Sequence, residues 1–178
     1  MNLALKIMVI VTAFLSINTF AASKVHLDNA NTDIFDEASL QNGAKLFMNY
    51  CSGCHSISFM RYNRIAKDLN LSEELVANNL MFAGKKTGEA ITTAMPNEGA
   101  SKWFGGVPPD LSLVARSKGT DWIYTYLRSF YPDESRIFGV NNKVLINASM
   151  PDVLWSLREN QSEAEFDNSV RDITNFLD

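Results

Sequence analysis

Cysteine and histidine are scarce in this 178-residue chain, which has two of each. That scarcity excludes a multi-disulfide scaffold and a four-ligand Cys/His zinc site. A surplus of positive charge is also missing: 16 Lys and Arg stand against 20 Asp and Glu, a formal net charge of −4. Nucleic acid, which wants a basic surface, is therefore not an expected partner. There is no internal repeat and no low-complexity segment. No apolar run approaches the roughly 20 residues of a membrane span. The longest, Ile7 to Phe20, has 14 residues and is interrupted by Thr12, Ser16 and Asn18. What is left, 46% hydrophobic and 20% charged residues, is ordinary composition for one globular domain.

The first residues read as an address. Lys6 supplies a positive start, the short apolar run follows, and Thr19-Phe20-Ala21 offers small residues around a cleavage point. Residues 1–22 are expected to be a secretory signal cut after Ala21 or Ala22. Residues 23–178 would then form one domain working outside the cytoplasm. An uncleaved anchor is the alternative, and 14 residues are too few for it.

The mature chain reads as mainly α, with long irregular loops. Residues 23–35 are polar and extended, with His26 among them. A helix starts near Asp36, because Leu40, Ala44, Phe47 and Cys51 recur on one helical face. A second is expected from Ser72, with Leu75, Val76 and Leu80 inward and Gly84-Lys85-Lys86 at its end. Residues 83–110 hold five of the nine Gly and three of the five Pro, so they read as a long loop, packed through Met95, Trp103 and Phe104. Asp110 is expected to cap a short helix to about Ser117. Asp121 opens another, with Ile123, Tyr126, Leu127 and Phe130 inward. Residues 131–150 are again irregular. The last helix begins with the capping box Ser162-x-x-Glu165 and carries the stripe Phe166, Val170, Ile173 and Leu177.

Both cysteines and one histidine sit together as Cys51-Ser52-Gly53-Cys54-His55. This is C-x-x-C-H, the attachment pattern of c-type haem. Positions three apart on a helical turn share a face, so two thiols can add across the two haem vinyl groups. The adjacent imidazole then comes under the iron. A thioredoxin-like use of C-x-x-C calls for a βαβ pattern, which the chain lacks. A simple disulfide would leave His55 without a role.

A sixth ligand has several candidates. His26 lies in the flexible leader of the mature chain and reads more simply as a solvent-facing or locally bonded side chain. Methionine opposite histidine raises the haem potential and suits electron transfer. Met48, Met60 and Met81 read as core filler. Met95 and Met150 each lie in an irregular stretch and precede proline, which biases the backbone to extended geometry. Spacing alone does not choose between those two.

Beyond the haem motif, four runs resemble cytochrome c1, the haem subunit of bacterial ubiquinol–cytochrome c reductase. They are Tyr50–Arg64 (YCSGCHSISFMRYNR), Asn78–Ala90 (NNLMFAGKKTGEA), Trp103–Tyr131 (WFGGVPPDLSLVARSKGTDWIYTYLRSFY) and Ala148–Trp155 (ASMPDVLW). The resemblance covers about Val25 to the end. It implies a cytochrome c-like helical domain around one covalent haem c. By the same resemblance, Cys51 and Cys54 match the thioether cysteines, His55 the proximal ligand and Met150 the distal ligand, which sets Met95 aside. Arg116 matches an arginine near a haem propionate, and Pro109 belongs to a segment that packs on the haem.

The implied function is one-electron transfer with no bond-making chemistry at this haem. The Rieske iron–sulfur protein would be the donor and cytochrome c the acceptor, with cytochrome b in the same complex, on the periplasmic face of the bacterial inner membrane. A free periplasmic carrier is the alternative. The acidic excess, scattered over Asp28, Asp33, Asp36, Glu37, Glu159, Glu163, Glu165 and Asp167, could steer a basic cytochrome c. An ordinary solvated surface is the simpler explanation for most of them. One departure stands out: the family normally continues into a single membrane-spanning helix, and this sequence stops at Asp178.

Overall fold

The computed structural model describes residues 25–178; the signal expected over residues 1–22 lies outside them. Eight helices and two small sheets follow one another among the described residues. The helices are α1 (Glu37–Tyr50), α2 (Tyr62–Asp68), α3 (Glu73–Asn79), α4 (Asn97–Phe104), α5 (Val114–Lys118), α6 (Thr120–Arg128), α7 (Trp155–Asn160) and α8 (Glu163–Leu177). The strands are β1 (Ile57–Arg61), β2 (Ala90–Ile91), β3 (Phe130–Pro132) and β4 (Val140–Asn142). The fold is mainly α, as expected. Among the described residues no helix is long and apolar enough to cross a membrane.

Local sequence explains the strongest elements. Asp36 caps α1 by accepting from the Ser39 amide at 3.1 Å. Ser72 caps α3 in the same way through Leu75. Ser162 and Glu165 close a reciprocal box at the start of α8. The expected inward stripes of α1, α6 and α8 are largely buried.

The helices α1 and α8 form the central pair. They cross so closely that a Cβ built on Gly43 would lie 2.0 Å from the Asp172 carbonyl oxygen. Phe47 meets Phe176 beside this crossing, with ring centroids 5.5 Å apart. A polar seam lies alongside: Ser39 Oγ and Asn42 Nδ2 both donate to the Asp172 carboxylate, at 2.7 and 2.8 Å.

Two apolar clusters flank this pair. One gathers Phe47, Met48, Ile57, Ile65 and Val76 around α1–α3 and β1. The other gathers Ile123, Leu127, Leu154, Phe166 and Ile173 around α6 and α8. Tyr50 and Leu177 pack against both.

Several expectations need correction. Residues 83–110 are not one irregular loop: they contain β2, paired with β1 through Ile57 and Ile91, and the helix α4. The Gly and Pro content masked that helix, which begins directly after Pro96 and ends at Gly105 in the left-handed region, φ +73°. The helix α3 stops at Asn79, before Gly84, and Leu75 faces solvent. Residues 131–150 contain the antiparallel pair β3–β4. The leader is pinned, because the amides of Asp28, Ala30 and Asp33 donate to Thr125, Asp121 and Asn175 at 2.8–3.0 Å.

Four of the eight acidic residues named above have local roles. Arg128 pairs with Asp28 and Asp167, while Asp36 and Glu165 act as helix caps.

Candidate functional site

A cavity of about 410 Å³ opens between the two apolar clusters, and its walls are almost wholly apolar. Cys51, Cys54 and His55 line it from the end of α1. The helix hydrogen bonding continues past Tyr50, since Cys51 N donates to the Phe47 carbonyl at 2.8 Å. A turn follows in which the Cys54 and His55 amides both donate to the Cys51 carbonyl. Both thiols are free. Thr93 braces the turn, donating through Oγ1 to the Gly53 carbonyl at 2.7 Å. Burial, with the Cys54 thiol adding to it, pushes Cys51 up to about 12, and burial raises Cys54 as well. Both sulfurs are therefore neutral thiols at neutral pH.

His55 has one preset orientation. Its Nδ1 lies 2.8 Å from the Pro109 carbonyl oxygen. A carbonyl only accepts, so Nδ1 carries the proton and Nε2 offers its lone pair. Burial lowers the imidazole pKa, against the Pro109 carbonyl and the Asp110 carboxylate, which raise it.

The Pro109 carbonyl is itself held in place. Leu111 N donates to the Ser56 carbonyl at 2.8 Å, and Asp110 accepts from the amides of Ser58 and Ser112. Asp110 is thus not the helix cap the sequence suggested; it ties residues 110–112 to β1. Burial alone would raise the Asp110 pKa, but hydrogen bonds from Ser112 and Ser58 bring it down from 3.8 to about 2. Its contribution to stability is therefore present above the unfolded value and lost as pH falls through the folded one. The expected result is a melting-temperature gap between wild type and Asp110→Asn at neutral pH that narrows below 3.8 and closes near 2. Thermal melts across that range check it, and a pH-independent gap would contradict it.

Met150 and Pro109 also line the cavity, and Met150 packs on the α6–α8 cluster. Met95 is half-buried and does not line it. Neither does Arg116, which is exposed on α5, nor His26, which is exposed in the leader. Lys118, two residues beyond Arg116, does line it, with its ammonium 5.5 Å from the centroid of the Trp122 ring. Trp122 stacks on Tyr126 at 4.9 Å, and both contribute to the wall. Sequence reading had placed Tyr126 only in the core and had missed Lys118 and Trp122. The signal was present, since Lys118 and Trp122 are four apart across the α5–α6 junction. Among the described residues no carboxylate lines the cavity, and no cluster of three His, Cys, Asp or Glu could hold a metal ion elsewhere.

The donor set fits haem: two neutral thiols, an imidazole with a free Nε2 and a thioether share one apolar cavity, with a single cation, Lys118, for the acid side chains of the macrocycle. The fold and this site define a c-type cytochrome.

The sequence model of the Cytochrome C1 family matches residues 28–178, and the chain belongs to that family. A cytochrome c1 from Allochromatium vinosum is 48% identical over 85% of this chain and 73% of its own length. The ammonia monooxygenase gamma subunit of Nitrosomonas europaea is 40% identical over 88% of this chain and 74% of its own length. The mitochondrial cytochrome c1 haem protein of Saccharomyces cerevisiae is 29% identical over 60% of this chain and 40% of its own. The family carries a single covalent c-type haem and serves electron transfer in bc1-type complexes.

Proposed function

We propose that this chain is the electron-transfer haem subunit of a bacterial ubiquinol–cytochrome c reductase. It would take electrons from the Rieske iron–sulfur protein and pass them to cytochrome c. Cys51 and Cys54 would hold the haem through thioethers, each thiol adding S–H across one vinyl group. His55 Nε2 would bind the iron, and Met150 Sδ would bind it at the other axial position. When bound, the haem supplies a one-electron change between ferric and ferrous iron.

The observation that carries this reading is the shared cavity. It brings Met150, about a hundred residues away in sequence, to the same space as Cys51, Cys54 and His55. The protein's own contribution is orientation and water exclusion. Pro109 fixes the imidazole tautomer, and the apolar walls exclude water from the iron's surroundings, which favours the less charged ferrous state. Lys118 at the wall is placed better than Arg116 to meet a propionate in this conformation.

If the Met150 thioether binds the iron, cyanide has to displace it, so slow cyanide binding by the ferric protein is the expected result.

The working location would be the periplasmic face of the inner membrane, after removal of residues 1–22. Purification from native membranes tests the whole reading. Cytochrome b and the Rieske protein should co-purify, quinol should reduce this haem, and the intact mass should contain one covalent haem and no residues before Ala22 or Ser23. Recovery of the haem protein alone from the soluble periplasm would favour the free carrier instead.

A further inference from the structure

The segment that delivers Met150 to the cavity has no regular structure of its own. Residues 143–149 follow β4 and lead directly into Met150-Pro151. Two of its larger apolar side chains, Leu145 and Ile146, are 47% and 61% exposed, so apolar packing holds this stretch only at Val144 and Ala148. Five of its seven backbone amides nevertheless donate to partners, and three of these five bonds go to two adjacent asparagines.

Asn142 is fully buried. Its Oδ1 accepts from the amides of Val144 and Leu145, at 2.8 and 3.2 Å. Its Nδ2 donates to the Tyr126 carbonyl at 2.8 Å, on the helix whose Tyr126 side chain lines the cavity. Asn141 Oδ1 accepts from the Asn147 amide at 2.8 Å, and its Nδ2 donates to Asp133. Asn147 lies in the left-handed region, φ +64°, and Arg136 donates to both its carboxamide and its carbonyl. Ala148, Ser149 and Met150 come next, and all three line the cavity.

We infer that Asn142, with Asn141 and Arg136 behind it, is the positioning residue for the distal ligand: it clamps residues 143–149 to the cavity wall and so sets how often the Met150 thioether leaves the iron. Asparagine suits the task because one short side chain carries a donor for α6 and an acceptor for the loop. Aspartate keeps the acceptor and loses the donor. Serine is too short to span both. Either change removes hydrogen bonds that tie the loop to α6: serine gives up those to the Val144 and Leu145 amides, and aspartate gives up the one to the Tyr126 carbonyl, which then keeps only the Ser129 amide. The inference rests on Met150 as the ligand, and it concerns the lability of that bond.

The test uses the haem-loaded protein. Asn142→Ser, Asn142→Asp and Arg136→Gln are compared with wild type and with Met150→Leu. Three quantities are read: covalent haem content, the sulfur-to-iron charge-transfer band of the ferric state, and the rate of cyanide binding. Cyanide must wait for the thioether to leave. The Asn142 variants should keep haem content and the band, and bind cyanide about tenfold faster, the response to losing about one net hydrogen bond. Arg136→Gln, which alters a half-buried side chain and leaves Asn142 in place, should show a smaller acceleration in the same direction. Wild-type cyanide rates in variants that retain the band would overturn the inference. If the Asn142 variants do not accumulate, Arg136→Gln decides by the same criterion. Met150→Leu separates the two readings: if it kept the band, the ligand assignment would fall. If it lost the band while the clamp variants stayed slow, only the clamp would fall.

Discussion

Replacing Met150 with leucine should lower the haem midpoint potential by roughly 0.1–0.3 V, a substantial part of the ~0.8 V range that axial ligands span. A thioether is a soft, neutral ligand that favours ferrous iron. Leucine has a similar volume and keeps the apolar wall, so the change isolates the ligand from the packing. Met150 is half-buried and packs on the α6–α8 cluster, and leucine can occupy that place with little loss of stability. Covalent attachment through Cys51 and Cys54, on the cavity wall at the end of α1, should be untouched if the proposal holds. The ferric variant should bind cyanide rapidly, because the sixth position is then open or held by water. Potentiometric titration followed by visible spectra checks both effects. An unchanged potential would move the ligand role away from Met150.

The largest effect on stability should come from Gly43→Ala. In an exposed helix this change gains about 1 kcal/mol of helix propensity. Here the new methyl would sit 2.0 Å from the Asp172 carbonyl oxygen and 2.8 Å from Phe176 Cβ. The first obstacle is backbone, so relief requires the α1 and α8 axes to separate. Overpacking of this kind costs about 1–3 kcal/mol and sometimes more. Separation would also loosen the Phe47–Phe176 contact and the hydrogen bonds on Asp172. The clash outweighs the propensity gain. At about 2–4 °C per kcal/mol for a domain of this size, the melting temperature should fall by roughly 3–10 °C. Circular dichroism melts of the haem-loaded protein measure it. A rise would mean that the helices have room to spare.

The loss should also reach the site. The helix α1 ends at Tyr50, immediately before Cys51, and the cavity is lined by Ile173 and Leu177 of α8. Moving one helix against the other changes the distance between those walls. A drop in potential smaller than that of Met150→Leu should therefore accompany the lower melting temperature.

The haem motif was legible because it is local. Cys51, Cys54 and His55 lie within five residues, and the chemistry depends on their spacing alone. The helices α1, α6 and α8 were legible because their apolar stripes match the helical period and their caps are strong. The helix α4 was not, since it is short and framed by Pro96 and Gly105, residues that punctuate loops as readily as helix ends. The strands β1 to β4 run to five residues at most, too short for alternation to declare itself. Asp110 misled for a related reason. Its side chain accepts from the amide two residues ahead, a bond that a turn and a helix cap share, but the helix begins only at Val114, after Leu113.

Motif and apolar periodicity alone determined the class of cofactor and the mainly helical architecture, because both are written in contiguous sequence. Spacing left Met95 and Met150 level as distal candidates, and resemblance chose between them. In the tertiary structure Met150 lines the cavity, on a loop that buried Asn142 ties to α6, and Met95 does not line it. Lys118 lines the cavity wall and Arg116 does not. Such choices depend on hydrogen bonds between residues far apart in the chain, which no local pattern encodes.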